Sequence, residues 1–328
     1  MIRYSAQGFL WALVLCQGVL LIWHCLMDEL IMEYSGIAPE EALAGSLVDC
    51  GDYTALEITG EVEIEFRRVS PPDDLMGDLE LVRGVGGKRA SKLRSEGYRT
   101  LEDLRSHPVY GVDAVRVHDL LLEGDLRGLR DHLNLPSSHP YILRCLNLMD
   151  ERRLVFLDIE TLGLSDEPVI LLGMGWIDGG SMVVKQRLAV SPEDEPGVFE
   201  LLDSVRDDDV LVTFNGASFD IPYIHRRLRI HGLNRNLDNI NVDLYHVSRR
   251  RWGALLPDCR LCTVEKHVLG VDRDLDVPGA IVPEYYSAYL STGNPGPLVP
   301  VVEHNREDIV SLAGILSALN LQLTSKDK

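Results

Sequence analysis

The chain has 328 residues, 45% of them hydrophobic, and a formal net charge of −19. That apolar content closes a packed core and excludes a globally disordered chain, and the length suits two domains or one large domain with an appendage. The acidic balance excludes a protein that coats nucleic acid by bulk charge, so any grip on phosphate must come from local basic patches.

The first stretch, residues 1–35, is dominated by Phe9 to Met27, FLWALVLCQGVLLIWHCLM. It is just long enough to span a bilayer, although Gln17 and His24 interrupt it. Arg3 is the only early base and no small-residue cleavage site follows, which disfavours a secretory signal. Three readings stay open: a membrane anchor, a buried helix, or a run upstream of the true start at Met27 or Met32. Cysteine usage bears on the compartment. Cys16, Cys25, Cys50, Cys145, Cys259 and Cys262 form no disulfide framework and suit a reducing, cytoplasmic setting. Cys259 and Cys262 make a C-x-x-C, but no second pair at zinc-ligand spacing accompanies them.

Residues 36–75 are expected to be a small β-rich region. From Glu57 to Arg68, Ile58, Gly60, Val62, Ile64 and Phe66 alternate with Glu57, Glu61, Glu63, Glu65 and Arg67. Period two marks a half-buried strand, one of an antiparallel set beginning near Leu47. Pro71-Pro72-Asp73-Asp74 is a turn or linker.

Residues 76–149 form a helical module. Leu79 to Leu104, LELVRGVGGKRASKLRSEGYRTLEDL, resembles a helix-hairpin-helix. Leu81 and Val82 close a first helix, Gly84-Val85-Gly86 makes the hairpin, Ala90 and Leu93 pack the second helix, and Gly97 ends it. Glycines at Gly84 and Gly86 let backbone amides approach a phosphate, and Lys88, Arg89 and Lys92 add positive charge. Such contacts position a protein on nucleic acid without selecting sequence. Thr100 to Asp103 has the form of a capping box. Helices continue from Val115 to Leu148, broken at Pro136 to Pro140.

Residues 150–323 begin with a buried strand, Leu154 to Thr161, that presents Asp158 and Glu160 two residues apart and therefore on one face. Adjacent carboxylates repel unless a cation sits between them, and hard oxygen donors suit Mg²⁺ or Mn²⁺. Ile170 to Ile177 and Met182 to Val190 are two further strands, turned at Asp178 to Ser181. A helix (Pro196 to Arg206), a strand (Val210 to Val212), a helix (Ile221 to His231) and a short strand (Asn241 to Leu244) follow. The Arg249-Arg250-Arg251 run is either a solvated face or a phosphate contact, and Asp243 is structural by default. A long helix from about Val301 to Leu321 carries His304 and Asp308 four apart, on one face. This order predicts an α/β fold, a mixed sheet flanked by helices.

Three segments together, Asp158-x-Glu160, Asn215-x-x-x-Phe219-Asp220 and His304-x-x-x-Asp308, resemble the exonuclease motifs of the DEDD superfamily, also called DnaQ-like, which has the ribonuclease H-like fold. The second segment most resembles the proofreading domains of family B DNA polymerases. Val155 to Leu319 as a whole is most similar to the YprB-like branch of predicted exonucleases. Shared phrases are Asp258-Cys259-Arg260-Leu261, Val277-Pro278-Gly279-Ala280 and His304-Asn305-Arg306.

The resemblance implies a 3′–5′ exonuclease in which Asp158, Glu160, Asp220 and Asp308 hold two Mg²⁺ or Mn²⁺ ions. Thr161 and Leu162 are then expected to meet the terminal nucleotide, and Asn215 to orient Asp220 or the substrate. His304 is expected to be the general base. Here the chain departs from the family pattern, which places histidine five positions before the last acid and tyrosine four before it; this chain has histidine at the tyrosine spacing. The implied partner is DNA or RNA, with no small-molecule cofactor. A structure-directed endonuclease on the same fold and a non-catalytic nucleic-acid-binding protein are the alternatives, and retention of all four acids speaks against the second.

Overall fold

The computed structural model describes residues 23–67, 73–136, 139–273 and 277–323. Seven strands form one mixed sheet: β1 (Gly45–Cys50), β2 (Tyr53–Glu63), β3 (Leu154–Thr161), β4 (Val169–Asp178), β5 (Ser181–Ala189), β6 (Val210–Thr213) and β7 (Ile240–Asp243). Their spatial order is β1-β2-β5-β4-β3-β6-β7. Strands β3, β4 and β5 are antiparallel, while β6 and β7 run parallel to β3. This is the mixed sheet expected from the chain order. The β4–β5 turn is tight because Gly179 and Gly180 both take positive φ, 61° and 102°, as a two-residue hairpin loop matched to strand twist requires.

The N-terminal strands belong to this same sheet. β2 pairs with β5 from Ala55 opposite Ala189 to Glu63 opposite Ser181, and β1 closes the edge. The alternation seen in the sequence has its cause here, since Ile58 packs inward while Glu61 and Glu63 face solvent.

β3 is buried on both faces. Val155, Leu157 and Ile159 pack with Tyr223, Ile224 and Leu228. Leu154 and Phe156 pack on the other face with Ile309, Leu312 and Leu316. Each such side chain contributes roughly 1.5–3 kcal/mol of burial.

The helical module contains α1 (Gly87–Ser95), α2 (Leu101–Leu104), α3 (Gly111–Glu123), α4 (Leu126–Leu133) and α5 (Pro140–Cys145). The segment ahead of the hairpin is not one helix but a helical turn at Asp73–Met76 and a 3₁₀ turn at Leu79–Leu81. The break follows from Asp78, whose side chain accepts the Glu80 N–H and restarts the chain. Thr100 and Asp103 do form the capping box that opens α2. The module's core residues Leu79, Leu81, Ala90, Leu93, Leu101 and Leu104 are continuous with Leu154, Phe156 and Val210 on the sheet and with Ile309 on the long C-terminal helix. The module is thus fused to the sheet through apolar packing.

The remaining helices are α6 (Glu195–Phe199), which tightens to 3₁₀ over Glu200–Ser204, α7 (Asp220–Ile230), α8 (Leu244–Trp252), α9 (Leu261–Val264), α10 (Val282–Thr292) and α11 (Leu298–Leu323). A π turn, Glu265–Leu269, continues α9. Helix α11 lies across β3, β4 and β5 on the Phe156 face. Residues 23–33 are helical and dock on α10: the Tyr285 hydroxyl donates to the Trp23 carbonyl at 2.9 Å, and His24 meets Glu284 at 2.8 Å. The apolar run from Phe9 lies outside the described residues as far as residue 22, as do Pro71 and Pro72. Among the described residues, no helix is long and apolar enough to cross a membrane.

Candidate functional site

On β3, the period of two puts Asp158 and Glu160 on the same face as Leu154 and Phe156, beneath α11. Helix α11 supplies His304 and Asp308, one turn apart. Asp220 is the first residue of α7, and the loop before it is fixed from β7. There the Asp243 carboxylate accepts the backbone N–H groups of Asn215 at 2.8 Å, Ala217 at 3.1 Å and Tyr245 at 3.0 Å. Asn215 has φ +64°, a left-handed conformation that asparagine tolerates. Its carbonyl accepts from Ser218 and Phe219, both at 3.1 Å, which turns the chain into α7. Asn215 therefore shapes the approach to Asp220 through its backbone, while its side chain is exposed.

The electrostatics bring the four acids together. Burial, and then the charges of Asp308, Asp220 and Glu160, push the Asp158 carboxyl well above the usual carboxylate range. A hydrogen bond from Asn305 Nδ2 to Asp158 Oδ2, 2.8 Å, works in the opposite direction. Burial raises Asp220 to about 7, against the pull of backbone N–H groups from Asp220 itself and Ile159.

His304 Nε2 lies 3.7 Å from Glu160 Oε1 and 3.8 Å from Asp308 Oδ2. Its Nδ1 is 3.3 Å from Arg273 Nη1. Arginine has no acceptor, so a hydrogen bond here makes Nδ1 the acceptor and puts the ring proton on Nε2, facing the carboxylates. The Arg273 side chain is only 6% exposed and forks onto three acids. It reaches Asp308 Oδ1 at 2.6 Å and Glu307 at 3.3 Å, and it binds Glu265, which is buried.

Four carboxylates, three of which lie close enough to the fourth to raise the Asp158 carboxyl, are oxygen donors that suit a hard divalent cation. Among the described residues, however, no three or more His, Cys, Asp or Glu side chains are already gathered around one cation position. Asp308 gives one oxygen to Arg273, and coordination by all four acids requires that side to adjust.

The other sequence-selected residues fall in two places. The Thr161 hydroxyl donates to the Gly163 carbonyl, and the Leu162 N–H donates to Pro168 at 3.0 Å. The loop between them is pinned to α7 by Tyr223, whose hydroxyl donates to the carbonyls of Gly163 at 3.1 Å and Glu167 at 2.8 Å. It carries Leu164 at its surface, 83% exposed. Gly84, Gly86, Lys88 and Arg89 are exposed on the helical module and take no part in the acidic cluster. Gly84 has φ +79°, Gly86 caps α1, and the Arg89 guanidinium donates to the Gly84 carbonyl. Cys259 is half-buried and Cys262 exposed.

Sequence reasoning missed Arg273, Glu265 and Gln186. A lone arginine in a loop gives no periodic signal, and a buried glutamine on β5 acquires meaning only from strand register. Asn305 stood within a quoted phrase, but nothing in the sequence aimed it at Asp158.

The family model described as RNase_H superfamily matches residues 155–320. The uncharacterized protein YprB of Bacillus subtilis is 32% identical over 185 residues, covering 54% of this chain and 44% of YprB. A DNA polymerase of Methanocaldococcus jannaschii is 23% identical over 165 residues, covering 40% of this chain and 10% of the polymerase. Among solved structures, the family B DNA polymerase from Pyrobaculum calidifontis aligns with a TM-score of 0.38 and 14% identity, over 86% of this chain and 45% of that one. The chain spans less than half the length of these curated relatives.

Proposed function

Since this chain belongs to the RNase H superfamily, we propose that it is a divalent-metal-dependent 3′–5′ exonuclease that hydrolyses phosphodiester bonds in DNA or RNA. The observation that carries the proposal is the convergence of carboxylates from three separate motifs: after burial, the charges of Asp308, Asp220 and Glu160 together raise the Asp158 carboxyl. Asp158, Glu160, Asp220 and Asp308 are the residues assigned to hold two Mg²⁺ or Mn²⁺ ions. When bound, such ions supply Lewis acidity, which eases ionisation of an attacking water and stabilises the departing 3′ oxygen.

The chain's own groups do the rest. Asp243 fixes the loop that delivers Asp220. Thr161 and Leu162, at the end of β3, are assigned to the terminal nucleotide. His304 is the proposed general base. Its Nε2 faces Glu160 and Asp308, so it can accept a proton there only when Nδ1 no longer accepts from Arg273 and carries the ring proton itself. The exposed glycines and bases of Gly84 to Lys92, resembling a helix-hairpin-helix, are assigned to the phosphate backbone. The four exposed bases of α1, Lys88, Arg89, Lys92 and Arg94, give this acidic chain a local basic surface.

The test is cleavage of 5′-labelled single- and double-stranded DNA and RNA in Mg²⁺ or Mn²⁺. A ladder shortening from the 3′ end supports the exonuclease. Discrete internal cuts transfer the assignment to a structure-directed endonuclease, and binding without cleavage leaves a nucleic-acid-binding protein. In the same assay, Lys88→Ala with Arg89→Ala should weaken substrate binding and flatten its salt dependence, because fewer counterions are released, while kcat is kept.

A further inference from the structure

Asp158, Gly173 and Gln186 lie in one row across three neighbouring strands: Asp158 is opposite Gly173 in the β3–β4 pair, and Gly173 is opposite Gln186 in the β4–β5 pair. A row across a sheet points to one face. Its middle member has no side chain, and the slot is filled from α11 by Asn305. A Cβ on Gly173 would stand 2.1 Å from Asn305 Oδ1, so only glycine admits this approach.

Within the slot the hydrogen bonds run in one direction. Gln186 Nε2 donates to Asn305 Oδ1 at 2.8 Å and to the Val302 carbonyl at 2.7 Å, and Asn305 Nδ2 donates to Asp158 Oδ2 at 2.8 Å. Gln186 and Asn305 are 1% and 0% exposed, so neither amide can turn to water instead. The orientation of Asn305 is thereby determined. A flip would set its Nδ2 against a donor and its oxygen against a carboxylate, leaving buried polar groups unsatisfied.

We propose that Gln186 and Asn305 are positioning residues that hold Asp158 in one rotamer with Oδ2 engaged, ready to bind a divalent cation through its remaining lone pairs. The proposal rests on Asp158 being a metal ligand, and Gly173 is the sequence condition that lets it exist. Outer partners of metal-binding carboxylates commonly govern affinity through this kind of orientation. The relay is neutral, so it orients Asp158 without cancelling the charge that attracts the cation. Gln186 touches neither Asp158 nor any reacting group, and it acts only through Asn305.

The experiment is Mn²⁺ titration of the full chain without substrate, by calorimetry and by electron paramagnetic resonance, for the parent, Asp158→Asn, Gln186→Met and Gly173→Ala. Each protein is also melted to establish that it is folded. Gln186→Met keeps the volume and removes the donor to Asn305, and Gly173→Ala displaces Asn305 by its Cβ. Both should weaken Mn²⁺ binding by about tenfold or more. At saturating Mn²⁺ both should recover most of kcat, with KM for the oligonucleotide near the parent's. A purely structural role would lower the melting temperature and leave the Mn²⁺ affinity of the folded protein unchanged, and that result overturns the relay. Should Gly173→Ala fail to fold, Gln186→Met decides alone, since it lies outside the acidic cluster. If the parent takes up no Mn²⁺, or Asp158→Asn binds it equally well, the metal-site reading falls and the relay with it. If the parent binds and Asp158→Asn does not, parental affinity in Gln186→Met removes the relay only.

Discussion

The two sides of the acidic cleft are held in opposite ways. On the strand side, Asp158 is fixed by a neutral donor, the Asn305 amide. This hydrogen bond sets position and leaves the negative charge intact. On the helix side, Asp308 is tied to a full positive charge, the buried guanidinium of Arg273, which also holds Glu307 and Glu265. On the proposed function the strand side is the part that meets an external cation, whereas Asp308 on the helix side already pairs with Arg273. Under the proposed function, the strand side is the fixed metal platform and the helix side is the part expected to rearrange when substrate and cations bind.

The largest expected effect is on the platform. Asp158→Ala should abolish cleavage by about 10³-fold or more, because the metal's contribution of several kcal/mol to the transition state is lost at 1.36 kcal/mol per tenfold. The melting temperature without metal should hold or rise, since a buried carboxylate repelled by three others is removed. Asp308→Ala should lose activity similarly but lower stability, because it leaves Arg273 without one partner. Cleavage rates together with melting curves check both, and equal stability changes in the two variants would erase the distinction between the sides.

Next comes the helix side itself. His304→Ala should slow turnover by about 10²-fold, within the range of acid–base catalysis. His304→Tyr, the residue the resemblance expects at this spacing, should retain more activity and lose the acid limb of the pH profile. Full turnover with an unaltered profile in His304→Ala would leave the base elsewhere. Arg273→Gln should show its effect in stability. It leaves Glu265, 1% exposed, without its cation, at a cost of about 3 kcal/mol or more. At this chain length that is a fall in Tm of roughly 4–5 °C or more. A Tm within a degree of the parent's would mean that the guanidinium is dispensable.

The same division explains what the sequence disclosed. Asp158 and Glu160 were legible because strand periodicity is local, and His304 and Asp308 because one helical turn is local. The alternation of Ile58, Val62 and Ile64 announced a strand, but its partner β5 is far along the chain, and nothing local says that β2 extends the same sheet. Gln186, Gly173 and Asp158 form one row only once register is set, and Asn305 enters it from a fourth element. Arg273 stands in a loop, where no period constrains it. Motif chemistry is thus local and legible, while the groups that orient it are collected by tertiary structure.

The smallest effect tests the charge on the platform through pH. Asp220 is raised to about 7, chiefly by burial, and Asp158 is raised well above the usual range by burial and its three acidic neighbours. Glu265 is raised by burial as well. In the unfolded chain such carboxyls titrate near about 4, so the native state binds protons more tightly than the unfolded state. Their contribution to stability is fully present below about pH 4; that of Asp220 is lost as pH rises through about 7, and those of Asp158 and Glu265 as pH rises through their own raised values. Asp103, Glu167 and Asp258 are held below their ordinary values by hydrogen bonds, so their titration is complete before this window opens. His139 acts with the opposite sign, because burial lowers its pKa and its neutral form gains as pH rises. With three groups against one, the metal-free protein in chelator should lose a few degrees of Tm between about pH 5 and pH 8, at roughly 1.5 °C per kcal/mol. Mn²⁺ should raise Tm more at pH 8 than at pH 5, because it binds the ionised acids that the higher pH exposes. Asp158→Asn should flatten the chelator curve and remove most of the Mn²⁺ gain. A chelator curve that rises across this window, with an equal Mn²⁺ gain at both ends, would mean that the strand side carries no uncompensated charge for a cation to meet.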